Sequence, residues 1–319
     1  MLRSLCLATL AAVAISILTG APLRAEPVLP QDPDAVLVEE LVVTARQAGP
    51  AWWRVSDADS TVYVLGVPSV FPKGSGWDPA VLERRLTGAN RVILPFNTAT
   101  VNLLTAPGAA ISLLRLRSGR TFEETLSGEQ RRRFVAAREA VGQPADRYKT
   151  TNGMAAAVLL ITDYRDWARL TAADPAKTIG RMAQARGLRV EAKSYDAAPL
   201  LAAVLRTPAE AQRACVAEAL SAIEAGPAQA QAAARAWAWG QVRGALEGER
   251  VYERCLAAAP GAAQLDERVK ADQARAIARA LEQPGHSVAV VQLRPLLAQG
   301  GVLDRLRSQG YEIRTPADS

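Results

Sequence analysis

Residues 52–66 read WWRVSDADSTVYVLG, and their pattern decides the fold. Trp53-Arg54-Val55-Ser56 and Thr61 to Leu65 alternate in the manner of half-buried strands. Between them, Asp57-Ala58-Asp59-Ser60 is turn sequence, because Asp and Ser bond their own backbone there. The stretch predicts a β-hairpin. A lone hairpin is marginal in water, so further strands are required. Working outward, Asp78-Pro79 opens a helix, with Asp as N-cap and Pro at the first helical position. Arg91-Val92-Ile93-Leu94 is then a short buried strand. Leu188 to Lys193 reads as another, and the rest lie at the far end: Ser287 to Leu293 after Pro284-Gly285, and Tyr311-Glu312-Ile313-Arg314. The two ends of the chain must therefore meet in one sheet.

The middle is helical. Thr121-x-x-Glu124 has the form of a capping box, and Ser127 caps a run closing near Gly142. Thr151 to Leu170 is a long apolar helix, and Asp174-Pro175 opens one closed by Gly187. Thr207-Pro208 starts a helix carrying Cys215, and Ala-rich helices continue to about Ala259 with Cys255 in the last. Asp266 to Leu281 and the run from Val302 to Leu306 complete the set. The expected class is α/β (α+β): a mixed central sheet formed by N- and C-terminal strands, with a large helical insertion. No Gly/Ser linker and no fixed-period repeat interrupts residues 51–319, which read as one domain.

Residues 1–25 read as a secretion signal. Arg3 gives a positive start, Leu5 to Leu18 is an apolar run too short to span a bilayer comfortably, and Leu23-Arg24-Ala25 offers cleavage before Glu26. An uncleaved anchor is the alternative. Cleavage near Ala25 would make the protein periplasmic or secreted. Residues 26–50 are acidic and contain Pro27, Pro30 and Pro33, so a mobile N-terminal segment is expected. Within 36–46, Glu39-Glu40-Leu41-Val42-Val43-Thr44-Ala45 resembles the TonB-box-like start of some outer-membrane receptors, which would recruit an envelope protein partner; the alternative is a strand or short helix packed on the domain.

The 38 Lys and Arg against 32 Asp and Glu give a net charge of +6, and losing Arg3 and Arg24 with the signal would leave +4. That is mild for this length, and the densest basic run, Arg131-Arg132-Arg133, fits a solvated helix face, so no nucleic-acid partner is expected. No run of 18 apolar residues follows the signal, so no transmembrane segment is expected in the mature chain. Beyond Cys6, the pair Cys215 and Cys255 would form a disulfide in an oxidising compartment or stay as two buried thiols.

The single histidine, His286, excludes two-histidine zinc sites. It sits on a turn before a strand, where a backbone-bonded or exposed imidazole is expected. There is no Walker A sequence, no Gly-x-Gly-x-x-Gly after a strand, and no Cys-x-x-Cys. Asp57 and Asp59 lie on a turn and read as local backbone acceptors.

Trp52-Trp53-Arg54-Val55 followed by Ser60-Thr61-Val62-Tyr63-Val64-Leu65-Gly66 resembles the opening of the TraB/GumN family, related to the TIKI metal-dependent proteases. Ser287 to Leu293, Gly301 to Leu306 and Gly310-Tyr311-Glu312-Ile313 resemble its ending. The resemblance implies a Gly-x-x-His after the second strand, a glutamate after the next strand, and a second Gly-x-x-His near the end. This chain reads Gly66-Val67-Pro68-Ser69, Pro95 and Gln292-Leu293-Arg294-Pro295 at those places. Ser69 and Pro295 stand where the histidines belong and Pro95 where the glutamate belongs, and none is a strong metal ligand. The expectation is a catalytically degenerate protein with no metal or cofactor and a binding or scaffold role. A hydrolase with a relocated site, using Ser69 with Lys73 or Arg294, is the alternative. Ser69, Pro95 and Pro295 all follow carboxyl ends of short strands, so they should share one sheet edge, with few carboxylates or imidazoles and with Arg294 the nearest charge. Helices starting near Asp78 and Gly301 should point their amides there.

Overall fold

The structure, a computed structural model, describes residues 29, 32–46, 48–96, 98–172 and 174–318. The expected signal, residues 1–25, lies outside the described residues. The strands are β1 (Trp52–Ser56), β2 (Ser60–Val67), β3 (Phe71–Pro72), β4 (Arg91–Ile93), β5 (Thr98–Thr100), β6 (Leu170–Thr171), β7 (Arg189–Glu191), β8 (Ser194–Asp196), β9 (Gly285–Gln292) and β10 (Glu312–Arg314). The helices are α1 (Ala80–Leu86), α2 (Ala106–Leu116), α3 (Gly128–Ala140), α4 (Gly153–Trp167), α5 (Ala176–Ala185), α6 (Ala198–Leu205), α7 (Ala209–Ala225), α8 (Ala228–Ala238), α9 (Val242–Leu246), α10 (Val251–Ala257), α11 (Ala262–Leu281), α12 (Leu293–Leu297) and α13 (Val302–Ser308).

The central sheet has six strands in the order β10-β1-β2-β9-β4-β7. The hairpin β1–β2 is antiparallel, and β1 also pairs antiparallel with β10. From β2 onward, β9, β4 and β7 pair in parallel. Strand β9, from the C-terminal part of the chain, thus sits between β2 and β4 from the N-terminal part. Parallel strands read as continuous apolar runs because both faces are covered. Accordingly, Val288, Ala289, Val290 and Val291 are all buried. Helix α11 packs across β2, β9 and β4; α1 and α12 pack on β9 and α5 on β7. The mixed sheet built from both chain ends is the class read from the sequence.

A second core lies within the helical insertion. Phe134, Tyr148, Met154, Leu160, Cys215 and Leu220 are buried in it. Helices α4 and α7 pack along each other, with α10 against both. Cys215 and Cys255 form a disulfide there, with Cα atoms 5.2 Å apart.

The segment expected to be a mobile tail is packed where it is described. Leu29, Val38, Leu41 and Val42 are buried, and Glu39–Leu41 is a turn of 3-10 helix. Val38, Leu41 and Val42 join the sheet core and Leu29 the helical core, which outweighs the acidic, Pro-containing composition that suggested a tail.

Candidate functional site

In the parallel part of the sheet, β2, β9 and β4 end at one edge. Val67 is paired with Gln292, and Ile93 with Ala289. Just past these ends lie Ser69, Pro95 and Pro295, on the edge where ligands of α/β sheets bind. They divide between two adjoining cavities of about 20 Å³ each. Ser69 lines one with Gln292, Leu293, Arg294, Arg250 and Gly248. Pro95 and Pro295 line the other with Gln292, Lys270, Gln273 and Val302. Gln292, at the end of β9, faces both. Neither lining includes a carboxylate or an imidazole. Val302, the first residue of α13, reaches the second cavity, whereas α1 lines neither.

Proline at 95 leaves the backbone past β4 without strand partners, and Gln273 of α11 supplies them. Phe96 donates its N–H to Gln273 Oε1 at 3.0 Å, and Gln273 Nε2 donates to the Leu94 carbonyl at 3.2 Å. A buried glutamine thus holds the place where strand pairing stops.

The charged side chains that line the two cavities, Arg250, Arg294 and Lys270, are cationic, and carboxylates behind them, Asp32 and Asp34 of the N-terminal segment and Asp266 of α11, act as counter-ions. Lys270 is 2% exposed and meets Asp34 Oδ1 at 2.7 Å and Asp266 Oδ2 at 2.6 Å, as ion pairs outside hydrogen-bond geometry. Arg250 donates to both oxygens of Asp32, at 2.6 and 2.9 Å, and to Asp34 Oδ2 at 3.2 Å. Arg294 donates to the Leu246 carbonyl at 2.7 Å and the Asp34 carbonyl at 3.5 Å, and its Nε is buried without a partner. Burial pulls the Lys270 ammonium down, but its ion pairs with Asp266 and Asp34 outweigh that and hold it above the ordinary lysine range. Burial and neighbouring Arg250 lower Arg294. Burial pushes Asp32 up, but the Arg250 hydrogen bond and charge bring it below the ordinary carboxylate range.

Through Gly248, Arg250 and Arg294, the Ser69 cavity adjoins a cleft of about 670 Å³. This cleft also carries Arg254, Asp32, Glu218, Glu247 and Glu249. Three of its four carboxylates are ion-paired: Asp32 with Arg250, Glu218 with Arg254 at 2.5 Å, and Glu249 with Arg165 at 3.0 Å. Among the described residues, no group of three or more His, Cys, Asp and Glu could hold a metal ion.

Arg294 is where the sequence reading placed it, but Arg250, Lys270, Gln273 and Asp34 were missed. A signal existed for two of them: Lys270, Gln273, Ala274, Ile277 and Leu281 share helical spacing with the buried face of α11. His286 takes no part. It pairs with Thr61 at the opposite end of β2, about 20 Å from the site at 3.3 Å per residue. Its Nε2 lies 3.0 Å from the Arg85 carbonyl, the backbone-bonded state expected of it. Lys73 is engaged by Asp166 at 2.8 Å, and no carboxylate or imidazole faces Ser69 as a base, which weighs against the relocated hydrolase.

The segment 36–46 is already used inside the fold. Val38 N–H donates to the Leu297 carbonyl, Gln299 N–H to the Val36 carbonyl and Ala45 N–H to the Gly240 carbonyl. A partner pairing with this backbone would first have to displace those contacts. The packed alternative describes these residues, with a short 3-10 turn at its centre.

A hairpin-led mixed sheet closed by the last strands, with a large helical insertion, places the chain in the mixed α/β class. The chain belongs to the TraB/PrgY/gumN family, whose model matches residues 51–315. No curated protein and no solved structure matches it.

Proposed function

We propose that this is an exported TraB/PrgY/gumN-family protein that binds a polar, charge-bearing ligand or partner segment at its sheet edge and performs no metal-dependent hydrolysis there. The observation that carries the reading is the composition of that edge. Ser69, Pro95 and Pro295 stand at the family's ligand positions, and Arg250 and Arg294 line both the Ser69 cavity and the 670 Å³ cleft. Guanidinium groups bind carboxylate and phosphate well and repel divalent cations. Export is supported by the reading of residues 1–25, and the Cys215–Cys255 bridge fits an oxidising compartment. The test is peptide hydrolysis by protein incubated with manganese, cobalt or zinc, against a chelated control. The expected result is no metal-dependent cleavage. Cleavage that depends on metal and disappears in Ser69→Ala would overturn the proposal.

A further inference from the structure

Helix α2 presents an apolar face that nothing in the fold covers. Leu103 and Leu104, on the loop leading into it, are 94% and 96% exposed. Ile111, Leu113 and Leu114 on the helix are at least half exposed, while only Ala109 and Ser112 are buried. The element is held to the rest on its other side: β5 pairs with β8, α2 packs on α6, and Thr105 donates to Asp196 Oδ1 at 3.0 Å. Side chains so nearly surrounded by solvent sit at the tip of a protrusion, where they stabilise nothing in the folded chain.

The charges carried by the segment itself, Arg115, Arg117 and Arg120, have one sign. Arg115 and Arg117 are exposed and form no ion pair among the described residues, while Arg120 is met by Glu124 at 3.5 Å. From residue 98 to residue 122 the sequence contains no Asp or Glu. The exposed apolar surface is aliphatic: residues 98–121 contain no aromatic residue. Protein interfaces are anchored by aromatic side chains and specified by polar ones, and this face has neither on its apolar part. A two-fold contact with a second copy would set Arg115 and Arg117 of both chains together with no acid on the face to meet them. Aliphatic side chains at a tip, flanked by unpaired guanidinium groups, match the boundary between acyl chains and anionic headgroups.

We propose that the α2 tip docks on an anionic phospholipid surface, with Leu103, Leu104, Ile111 and Leu114 entering the headgroup boundary and Arg115 and Arg117 meeting lipid phosphates. The inference is independent of the reading of the sheet edge. Co-sedimentation tests it, using protein produced from the full chain with vesicles of phosphatidylcholine alone or mixed with phosphatidylglycerol. Binding to the mixed vesicles is expected to exceed binding to phosphatidylcholine by about tenfold at low salt, and to weaken as salt rises. Leu103→Glu/Leu104→Glu alters two solvent-surrounded positions and should abolish it with an unchanged thermal melt, while Arg115→Glu/Arg117→Glu should remove the preference for the anionic lipid. No sedimentation with either vesicle, or equal sedimentation of the leucine variant, overturns the proposal. So does a dimer in light scattering that the leucine variant converts to monomer, since a second copy would then be the occupant.

Discussion

A Cβ atom on Gly66 would lie 2.2 Å from Leu293 Cδ1 and 3.1 Å from the Trp53 ring, so a side chain there would have to displace the buried Leu293. The Gly66 carbonyl also accepts from Trp237 Nε1 at 2.6 Å. Gly66 is therefore held by packing, whatever residue follows it at Ser69. That is why the family was legible from the sequence while the site was not. Turn and strand residues such as Gly66 and Val288 carry the fold in their types and spacing. The charges at the site come from Asp34, Arg250, Lys270 and Arg294; the last lies 260 residues from the first, and they meet only in three dimensions. Lys270 is the member whose removal should cost most. Lys270→Ala would leave half-buried Asp266 without its cation and buried Asp34 with Arg250 alone, and removing one partner of a buried pair costs about 3–5 kcal/mol. Urea unfolding at neutral pH measures this, and a change under about 1 kcal/mol would contradict it. Because the folded Lys270 titrates above its ordinary range, its contribution is complete below that range and disappears as alkaline pH rises through the raised value. The gap between wild type and variant should therefore narrow only at alkaline pH.

Among elements, those with an apolar period were legible and those without were not. The runs at 52–67 and 285–292, and helices α4, α7 and α11, carry buried side chains at regular spacing. Strand β5 is exposed at all three residues and gave no such signal. Helix α2 contains Pro107 and Gly108 and turns much of its apolar surface to solvent, so its pattern is not that of a core helix. The N-terminal segment was misread for a related reason: its prolines and acids describe a tail, while Asp32 and Asp34 are placed by Arg250 and Lys270, far along the chain. The disulfide was open in the sequence and is formed in the fold, tying α7 to α10 across 40 residues within the helical core. On the chain-entropy account a loop of that length contributes roughly 3–4 kcal/mol. Cys215→Ala/Cys255→Ala should lower the urea midpoint accordingly, and wild-type protein unfolded without reductant should show no free thiol at these positions. An unchanged midpoint together with two reactive thiols would refute the bridge.

At the scale of the molecule, two cores divide the work. The sheet core gathers both chain ends around β9, and the helical core fills the insertion between them. The site lies at the sheet edge, where Val70 belongs to the helical core and Val67, Phe96 and Leu293 to the sheet core. Both cores therefore furnish its walls, and the N-terminal segment supplies Asp32 and Asp34 to its cations. The central proposal is that this edge is a cation-lined binding site that holds no metal. Elemental analysis tests it most directly, on protein incubated with excess manganese, cobalt and zinc and then desalted. The account predicts well under one equivalent of any of them. One equivalent of a single metal, lost when Ser69 is changed to Ala, would contradict it.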